Sequence, residues 1–464
     1  MEIPATPPPW KEVLRSDPAP LWLISDLPHL DSYPHWDDLL RHEPPEDLTH
    51  EQWWVRLKTL RLERAITVTD FLAGNGKKLW YTPNPTLLEG LSEIAPVVSG
   101  ADPDLDRQVS TVTHERDLFV EWTLREEAIA SAQLAGAEIS RSEALPRFDD
   151  RTLADSAAGA QVWNNYLALA RVLELAKEEF RPELIAELNT ILSGDGALRT
   201  ADCTDVTDPY GRVWHSAPPA SEVTGRLAKL CDFANRDSHE KLPPLLAAMT
   251  VHYMAVHDQY FAEANNRTAR LLFYWAMFRC GFWLARYLSI SKVMAARGLD
   301  YRRTFLLTDT DDGDLTYFFE FSTSVLRRSI WQLRARLETE LNAGHPTRTP
   351  LLGVETELNH RQLKVLETCL ADPRSAFSYE THQVYWGISY ETARRDLRSL
   401  GKKGLLRRQE NTRVWQAPGD LSARLRGEAP KTVELGDAPR VETPPELGTV
   451  HRLWRFVRGL QPGR

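Results

Sequence analysis

The sequence predicts a mainly α-helical protein with one small β-hairpin and, towards its C-terminal end, a small α/β unit. Three observations predict it. Apolar residues recur at three- and four-residue spacing through long segments such as 154–178 and 315–341. Gly, Asp, Thr and Pro gather between 193 and 223, where that pattern stops. A linker-like run, NAGHPTRTP at 342–350, then precedes a stretch reading as three short helices and a hairpin.

Taken in order, residues 1–45 are rich in Pro and Trp and read as an irregular arm on the surface of something larger. A helix follows over 49–70, with Trp53, Trp54, Leu57, Leu60 and Leu62 interleaved with Arg and Lys, and a short linker at 74–78. Helices are expected at 85–98 and 116–142, the second dominated by the helix formers Ala, Glu and Leu, and at 154–178, with Val162, Tyr166, Leu169, Val172 and Leu173 on its buried side. The alternation across 206–214 about DPYG is a hairpin or flap. Helices resume at 222–236 and after Pro243 and Pro244, which suit a first helical turn. There Leu245, Ala248, Met249, His252 and Val256 share a face, which makes His252 a core histidine with satisfied hydrogen bonds. The segment 268–288 is apolar nearly all round, as a central bundle helix is. DTDDGD at 309–314 has Asp314 where a calcium loop needs Gly and Gly313 where it needs a ligand, so Asp312 or Asp314 is read as a helix cap.

These readings divide the chain into an N-terminal arm and subdomain (1–109), a helical domain (110–343), a linker (344–357), a small unit (358–420) and a mostly disordered tail (421–464). Composition bounds the function. The 464 residues hold 56 basic against 65 acidic side chains, net −9, which disfavours a polycation that coats nucleic acid or anionic membrane. Four separated cysteines with no Cys/His ligand spacing predict neither a disulfide framework nor a structural zinc, and the absence of an apolar leader segment adds a cytoplasmic expectation. The apolar run 271–290 is interrupted by Arg279, Gly281 and Arg286 and reads as a core helix, so no membrane partner is expected.

The segment that carries chemistry is HDQYFAEANNRTAR at 257–270, where a loop becomes the central helix. Glu263 can hold a divalent cation, the backbone N–H groups near Asn265, Asn266 and Arg267 form an anion nest, and Arg267 and Arg270, three apart, share a face from which to clamp phosphates. A helix N-terminus with solvated charges is the other reading of the same residues.

From Gln259 to Arg270 the sequence resembles the Fic family, whose signature runs H-x-F-x-[D/E]-G-N-G-R-x-x-R. The resemblance extends to His252 and Tyr253, to RTARLLFYWAM, to SISK and to the run 308–318, covering roughly 110–340. It implies a helical bundle with a β-flap near 213–219, and transfer of AMP from ATP, with Mg²⁺, to a Ser, Thr or Tyr hydroxyl of a target protein. Glu263 matches the Mg²⁺ ligand, Asn265 the α-phosphate position, Arg267 the phosphate clamp, Arg270 the arginine on the terminal phosphate and Phe261 the anchor beneath the nucleotide-binding loop.

The departures bear on activity. Gln259 stands where the family has its general-base histidine, and an amide cannot take that proton. The loss of a positioned base costs ~10²- to 10⁴-fold. His257, two residues earlier, is rotated to another helix face. Asn266 and Ala264 replace the signature glycines. The family's inhibitory helix, [S/T]-x-x-x-E-[G/N], aligns with 131–136 and puts Ala135 where the inhibitory glutamate belongs, which predicts that Arg270 has no carboxylate from that helix and stays available to an anion.

Residues 358–420 resemble a winged helix-turn-helix of the kind appended to Fic proteins, with Ser389 as N-cap and Ala393, Leu397 and Leu400 inward. Tyr390, Thr392, Arg394, Arg395 and Arg398 face outward, and Arg407 and Arg408 lie on a wing whose tip spans 409–412. Between 389 and 415 eight basic residues oppose three acidic ones, so a basic module sits on an acidic body. Major-groove reading of double-stranded DNA and docking of a protein are the two functions such a face serves. The leading expectation is a Fic-fold, DNA-linked regulator that binds ATP and Mg²⁺ but transfers AMP weakly or not at all, with a homodimer among its partners. The rivals are an active adenylyltransferase and an interaction scaffold that binds no nucleotide.

Overall fold

A computed structural model describes residues 4–16, 33–45, 47–72, 76, 78–112, 116–150, 152–202, 206–207, 213–236, 242–348, 358–371, 375–386, 389–409 and 414–425. Of the tail expected at 421–464 the part beyond 425, and of the wing tip expected at 409–412 the residues 410–412, lie outside the described residues. The chain forms two compact units, Met1–Leu337 and Glu338–Arg464.

In the first unit the principal elements are α1 (His50–Glu63), the pair β1 (Ile66–Leu72) and β2 (Lys78–Tyr81), α2 (Pro85–Ser99), α3 (Arg116–Leu134), α4 (Ala157–Glu174), α5 (Pro182–Ser193), the hairpin strands β3 (Val206–Thr207) and β4 (Val213–His215), α6 (Val223–Ala234), α7 (Pro244–Asp258), α8 (Asn265–Arg279), α9 (Gly298–Thr310) and, up to the unit boundary at Leu337, α10 (Thr316–Arg348). The fold is mainly helical, as expected, and its strands pair as two small antiparallel ribbons. Local chemistry sets the boundaries. Thr49 and Gln52 form a capping box at α1. Asn84 caps α2 ahead of Pro85, and Gly100 ends it in the left-handed conformation. The central helix α8 buries every residue from Arg267 to Met277, packed against α7, α5 and α4.

Several elements differ from the sequence reading. The helix expected over 49–70 stops at Glu63, because ITVTDFL returns as β1 and pairs with β2, Ile66 opposite Tyr81. The unbroken β-branched run from Ile66 to Thr69 favours a strand over continued helix. Two of the basic residues interleaved along this helix, Lys58 and Arg61, are 1% and 5% exposed. Lys58 donates to the buried carboxylate of Asp311, while Arg61 donates to the Pro34 carbonyl at 2.7 Å and the Tyr317 hydroxyl at 3.1 Å. Burial works to raise the Asp311 carboxyl, and the charges of Lys58 and Arg61 outweigh it and hold the group below its ordinary value. Its neighbour Asp314 is pushed up to about 6 by burial and then by Asp311. Of the two cap candidates Asp314 does the capping, its Oδ1 accepting from the Thr316 N–H at 2.9 Å. The helices α5 and α9 fall in stretches the periodicity reading passed over.

The second unit runs α11 (His360–Ala371), β5 (Ala376–Phe377), α12 (Tyr379–Trp386), α13 (Tyr390–Lys402), β6 (Arg407–Arg408), β7 (Trp415–Gln416) and α14 (Leu421–Leu425), with sheet order β5-β7-β6. Ala393, Leu397 and Leu400 are fully buried, and Ser389 caps α13 through the Thr392 N–H at 3.2 Å, both as expected. The strand β5 is additional: at two residues it is too short to leave a period in the sequence.

Candidate functional site

The α7–α8 junction is built by two left-handed residues and a set of backbone clasps. Gln259 (φ 45°) ends α7 and Ala264 (φ 61°) begins α8. Between them the Asn265 side chain accepts from the Phe261 N–H at 2.8 Å and donates to the Phe261 carbonyl at 2.7 Å, closing the loop on itself. From α5, Asn189 donates to the Glu263 carbonyl and to the Thr268 hydroxyl, each at 3.0 Å. Phe261 is buried and bridges Leu198, an anchor under the loop. Arg199, which the sequence reading passed over, is the main buckle. Its guanidinium donates to the Gln259 carbonyl at 2.7 Å and also to the Pro218 carbonyl, and its backbone N–H reaches the Tyr260 carbonyl at 3.0 Å. No motif spacing signals it, because its partners are all carbonyls.

At the start of α8 the helix is uncapped. Ala264 offers no side-chain acceptor, and Thr268 is the first helical residue whose N–H bonds back to the Ala264 carbonyl, at 2.9 Å. The N–H groups of Asn265, Asn266 and Arg267 are the orphan donors of a helix N-terminus, carrying its partial positive charge. The Asn265 amide is committed to Phe261, so what this residue presents to an anion is its backbone. Glu263 and Asn266 are exposed.

Arg267 and Arg270 stand one turn apart. Arg267 is 9% exposed, and one of its terminal nitrogens is buried with no hydrogen-bond partner. Burial and then the Arg270 charge lower its pKa, against the pull of Glu263. Arg270 is deeper, and burial again lowers it while Tyr301 and Glu127 oppose. Its Nε donates to the Ser131 hydroxyl at 2.9 Å and its Nη2 to the Ser131 carbonyl at 2.8 Å. The expectation is that α3 gives Arg270 no carboxylate and leaves it available to an anion; what the helix gives by contact is the neutral Ser131, which takes two of the guanidinium's donors. Ala135 is exposed just past the end of that helix, and the residues of α3 that act on Arg270 are Ser131 by contact and Glu127 by charge. Glu127 is pushed up to about 7 by burial, against its hydrogen bonds from Ser291.

His252 is a core residue, as expected, with Nε2 at 2.9 Å from the Tyr301 hydroxyl; burial, then Arg270, lower it to about 3. Its Nδ1 is buried without a partner, so only half of its expected satisfaction is met. His257 is 3% exposed, and among the described residues it contacts neither Arg267 nor Arg270 through a hydrogen bond. Its Nδ1 pairs with Asp258 at 2.9 Å and its ring packs edge-on against His215 at 4.7 Å. Asp258 is a hub, also accepting from Arg226 at 2.8 Å and the Tyr260 hydroxyl at 3.0 Å. The carboxylate of Asp309 brings His215 and Tyr253 together, at 3.3 and 3.1 Å.

In the second unit Tyr390 and Arg395 are exposed on α13, and Arg394 pairs with Glu391 at 3.3 Å. Thr392 and Arg398 are partly buried on the same helix. On β6, Arg407 is exposed and Arg408 half-buried. Asp396, counted above among the acidic residues of this module, is buried. It accepts from Arg361 at 2.6 Å and Asn359 at 2.8 Å and meets His382 at 3.3 Å. Burial works to raise its carboxyl, and the Arg361 and Asn359 hydrogen bonds outweigh it and hold it low. Its charge is spent inside the unit.

No helix among the described residues is long and apolar enough to cross a membrane. The sequence model of the Fic/DOC family matches residues 179–277. Protein adenylyltransferase fic-1 of Caenorhabditis briggsae is 28% identical over 130 residues, 21% of this chain and 26% of that protein, so the chain spans about a quarter of the length of this curated relative. A Fic family protein from Desulfovibrio desulfuricans G20 is similar at 21% identity and TM-score 0.47, over 73% of this chain and 98% of that one. Fic-1 from C. elegans is similar at 20% identity and TM-score 0.40, over 53% and 75%. The segment that matches the Fic/DOC family model, residues 179–277, holds Asn189, Arg199 and the whole loop from Gln259 to Arg270.

Proposed function

We propose that the Fic/DOC domain binds a nucleoside triphosphate with Mg²⁺ at the N-terminal turn of α8, that AMP transfer is weak or absent, and that the second unit is a winged helix that reads DNA, making the protein a DNA-linked regulator. The observation that carries nucleotide binding is Arg267: a buried guanidinium with an unpartnered terminal nitrogen, beside an uncapped helix start and a second arginine. A buried unpaired cation is costly to keep, and an anion removes the cost. The residues fit a triphosphate. Arg267 would hold its phosphates, the N–H groups of 265–267 would cradle them, and Glu263, exposed at the loop edge, would take the Mg²⁺.

Bound ATP would supply an electrophilic α-phosphorus; what the chain lacks is a base for the attacking hydroxyl. Gln259 cannot accept a proton, and its backbone, clasped by Arg199, fixes an amide at the place the base should occupy. His257 is turned into the core against Asp258 and His215. The second reading, an active adenylyltransferase, is favoured by the similarity to a relative named as one.

DNA reading is supported by the order helix, strand, helix, helix, strand, strand, and by a third helix whose outward face carries Arg394, Arg395 and Arg398 while its one buried acid, Asp396, is internally neutralised. Calorimetry of the full chain with ATP and Mg²⁺, alone and as Arg267→Met, tests the first claim. Saturable heat that the variant lacks supports it, and no heat from the natural protein overturns it in favour of a scaffold. Mass spectrometry for AMP adducts separates the two nucleotide-binding readings.

A further inference from the structure

We propose that His215, His257 and Asp309 form a binding site for a divalent transition-metal ion of the zinc class, which fastens the β3–β4 hairpin to α7 and α9. The three residues come from β4, α7 and α9, and their ligand atoms all lie within 4.8 Å of one another. Hydrogen-bond bookkeeping assigns the tautomers. The His215 Nε2 is 2.7 Å from the His257 carbonyl, which can only accept, so Nε2 carries the proton and Nδ1 carries a lone pair. That lone pair is aimed at the Asp309 carboxylate, 3.3 Å away. Two acceptors at that distance repel unless a proton or a metal ion lies between them.

His257 distinguishes the two. Its Nδ1 is held 2.9 Å from Asp258, a carboxylate, so Nδ1–H donates and the Nε2 lone pair is left bare. That Nε2 is buried, has no hydrogen-bond partner, and lies 4.0 Å from the Asp309 Oδ1. A proton on His215 explains one of the two lone pairs; a cation among the three groups explains both. For bonds near 2.0–2.1 Å, tetrahedral ligands sit about 3.3 Å apart. The His215 Nδ1–Asp309 Oδ2 distance already meets that, the other carboxylate oxygen, Oδ1, stands 4.0 Å from His257 Nε2, and with all the ligand atoms inside 4.8 Å the three groups close on one ion by side-chain movements of up to about 1.5 Å.

The surroundings are those of a metal site. Each imidazole donates its other N–H to an oxygen, His215 to a carbonyl and His257 to Asp258, and Asp309 accepts from the Tyr253 hydroxyl at 3.1 Å. Two imidazoles and one carboxylate are the borderline donors that zinc and its neighbours prefer over Mg²⁺ or Ca²⁺, and three protein ligands leave a fourth position for water. This site is separate from Glu263, which faces solvent in the motif loop. Its consequence is mechanical: the metal ion would set whether the hairpin next to the Gln259 loop is pinned.

The test uses the full chain, stripped with a chelator and titrated with Zn²⁺ and, for its visible absorption, Co²⁺. The expected result is one equivalent bound at micromolar affinity or better, a tetrahedral Co²⁺ spectrum without thiolate charge-transfer bands, and a higher melting temperature. His257→Gln and Asp309→Asn should each weaken binding at least tenfold; two variants guard against one that misfolds, and circular dichroism checks both. Overturning results are no stoichiometric uptake, or uptake that both folded variants retain. Imidazole ¹⁵N shifts showing His215 doubly protonated, with no change when Zn²⁺ is added, would assign the cluster to a simple His–Asp ion pair and also overturn the proposal.

Discussion

Arg270 grips Ser131 twice, through the hydroxyl at 2.9 Å and the carbonyl at 2.8 Å. The second motif arginine is thereby fixed to α3 by a neutral residue, with Glu127 one turn away supplying charge without contact. A guanidinium so placed is oriented but not neutralised. Ser131→Ala should remove a charge-assisted hydrogen bond inside the core and cost about 1.5–3 kcal/mol, read as a lowered denaturant midpoint at unchanged slope. Ser131→Thr, which keeps the hydroxyl, should recover most of it.

Arg267 predicts a different sign. Its buried, unpartnered nitrogen means that the ligand-free protein carries an uncompensated cost at this position. Arg267→Met should leave stability unchanged or raise it by roughly 1 kcal/mol, while weakening ATP binding at least tenfold. Paired melting curves with and without ATP and Mg²⁺ separate the effects: the variant starts as high as the natural protein and gains nothing from nucleotide.

Much of this was legible in the sequence, and what was not has physical causes. The loop from Gln259 to Arg270 was found because its chemistry is contiguous along one chain segment. Arg199 was missed because its acceptors are main-chain carbonyls, which leave no compositional trace. His215, His257 and Asp309 were missed because they meet only when three elements pack. The burial of Lys58 and Arg61 is not legible in the sequence, because a helical period reports which residues are apolar, and a buried cation with a partner 253 positions away breaks that rule. Ala135 was read from alignment with the inhibitory helix; packing gives the contact to Ser131 instead.

The left-handed residues at the loop predict a stability gain. A side chain at positive φ is disfavoured by about 1 kcal/mol or more relative to Gly. Ala264 is held at φ 61° with no capping bond to offset it. Ala264→Gly should therefore raise the unfolding free energy by roughly 0.5–1 kcal/mol, measured by urea titration. Gln259→His at φ 45° should be tolerated, since His enters this region more readily than most residues. If only the base is missing, that variant gains AMP transfer detectable by mass spectrometry; a folded, ATP-binding Gln259→His protein with no adduct would show that more than the base has been lost.

Glu320 gives a pH-dependent prediction away from the candidate metal ligands. It lies on α10 and accepts from the Asn84 amide at 2.8 Å, the same Asn84 whose Oδ1 caps α2. Burial, and then the nearby Asp314 charge, push its carboxyl up to about 7 from an ordinary 4.5. With the folded value above the unfolded one, the contribution to stability is fully present below pH 4.5 and is lost as pH rises through 7. A shift of that size corresponds to at most about 3 kcal/mol, since each unit is worth 1.36 kcal/mol. Glu320→Gln keeps an acceptor for Asn84 and removes the titration. The variant should match the natural protein at pH 4.5 and exceed it in urea midpoint at pH 8; an equal gain at both values would mean that charge at Glu320 is not the cause.

The buried position of Asp396 makes the last prediction specific to the second unit. Removing that carboxylate leaves Arg361, Asn359 and His382 without their shared acceptor, so Asp396→Ala should destabilise the unit by on the order of 3 kcal/mol and abolish DNA binding by unfolding it. Arg395→Ala acts differently. Arg395 is exposed and makes no hydrogen bond or ion pair among the described residues, so the unit should stay folded while DNA affinity falls. If Arg395 contacts a phosphate, affinity falls alike for every sequence and the slope of log affinity against log salt drops by about 1; if it reads a base edge, the loss is about 1–3 kcal/mol and confined to the preferred site. Fluorescence anisotropy over a salt series on specific and scrambled duplexes measures both. No binding to any duplex at low salt, with the unit folded, would replace DNA by a protein as the partner of this face.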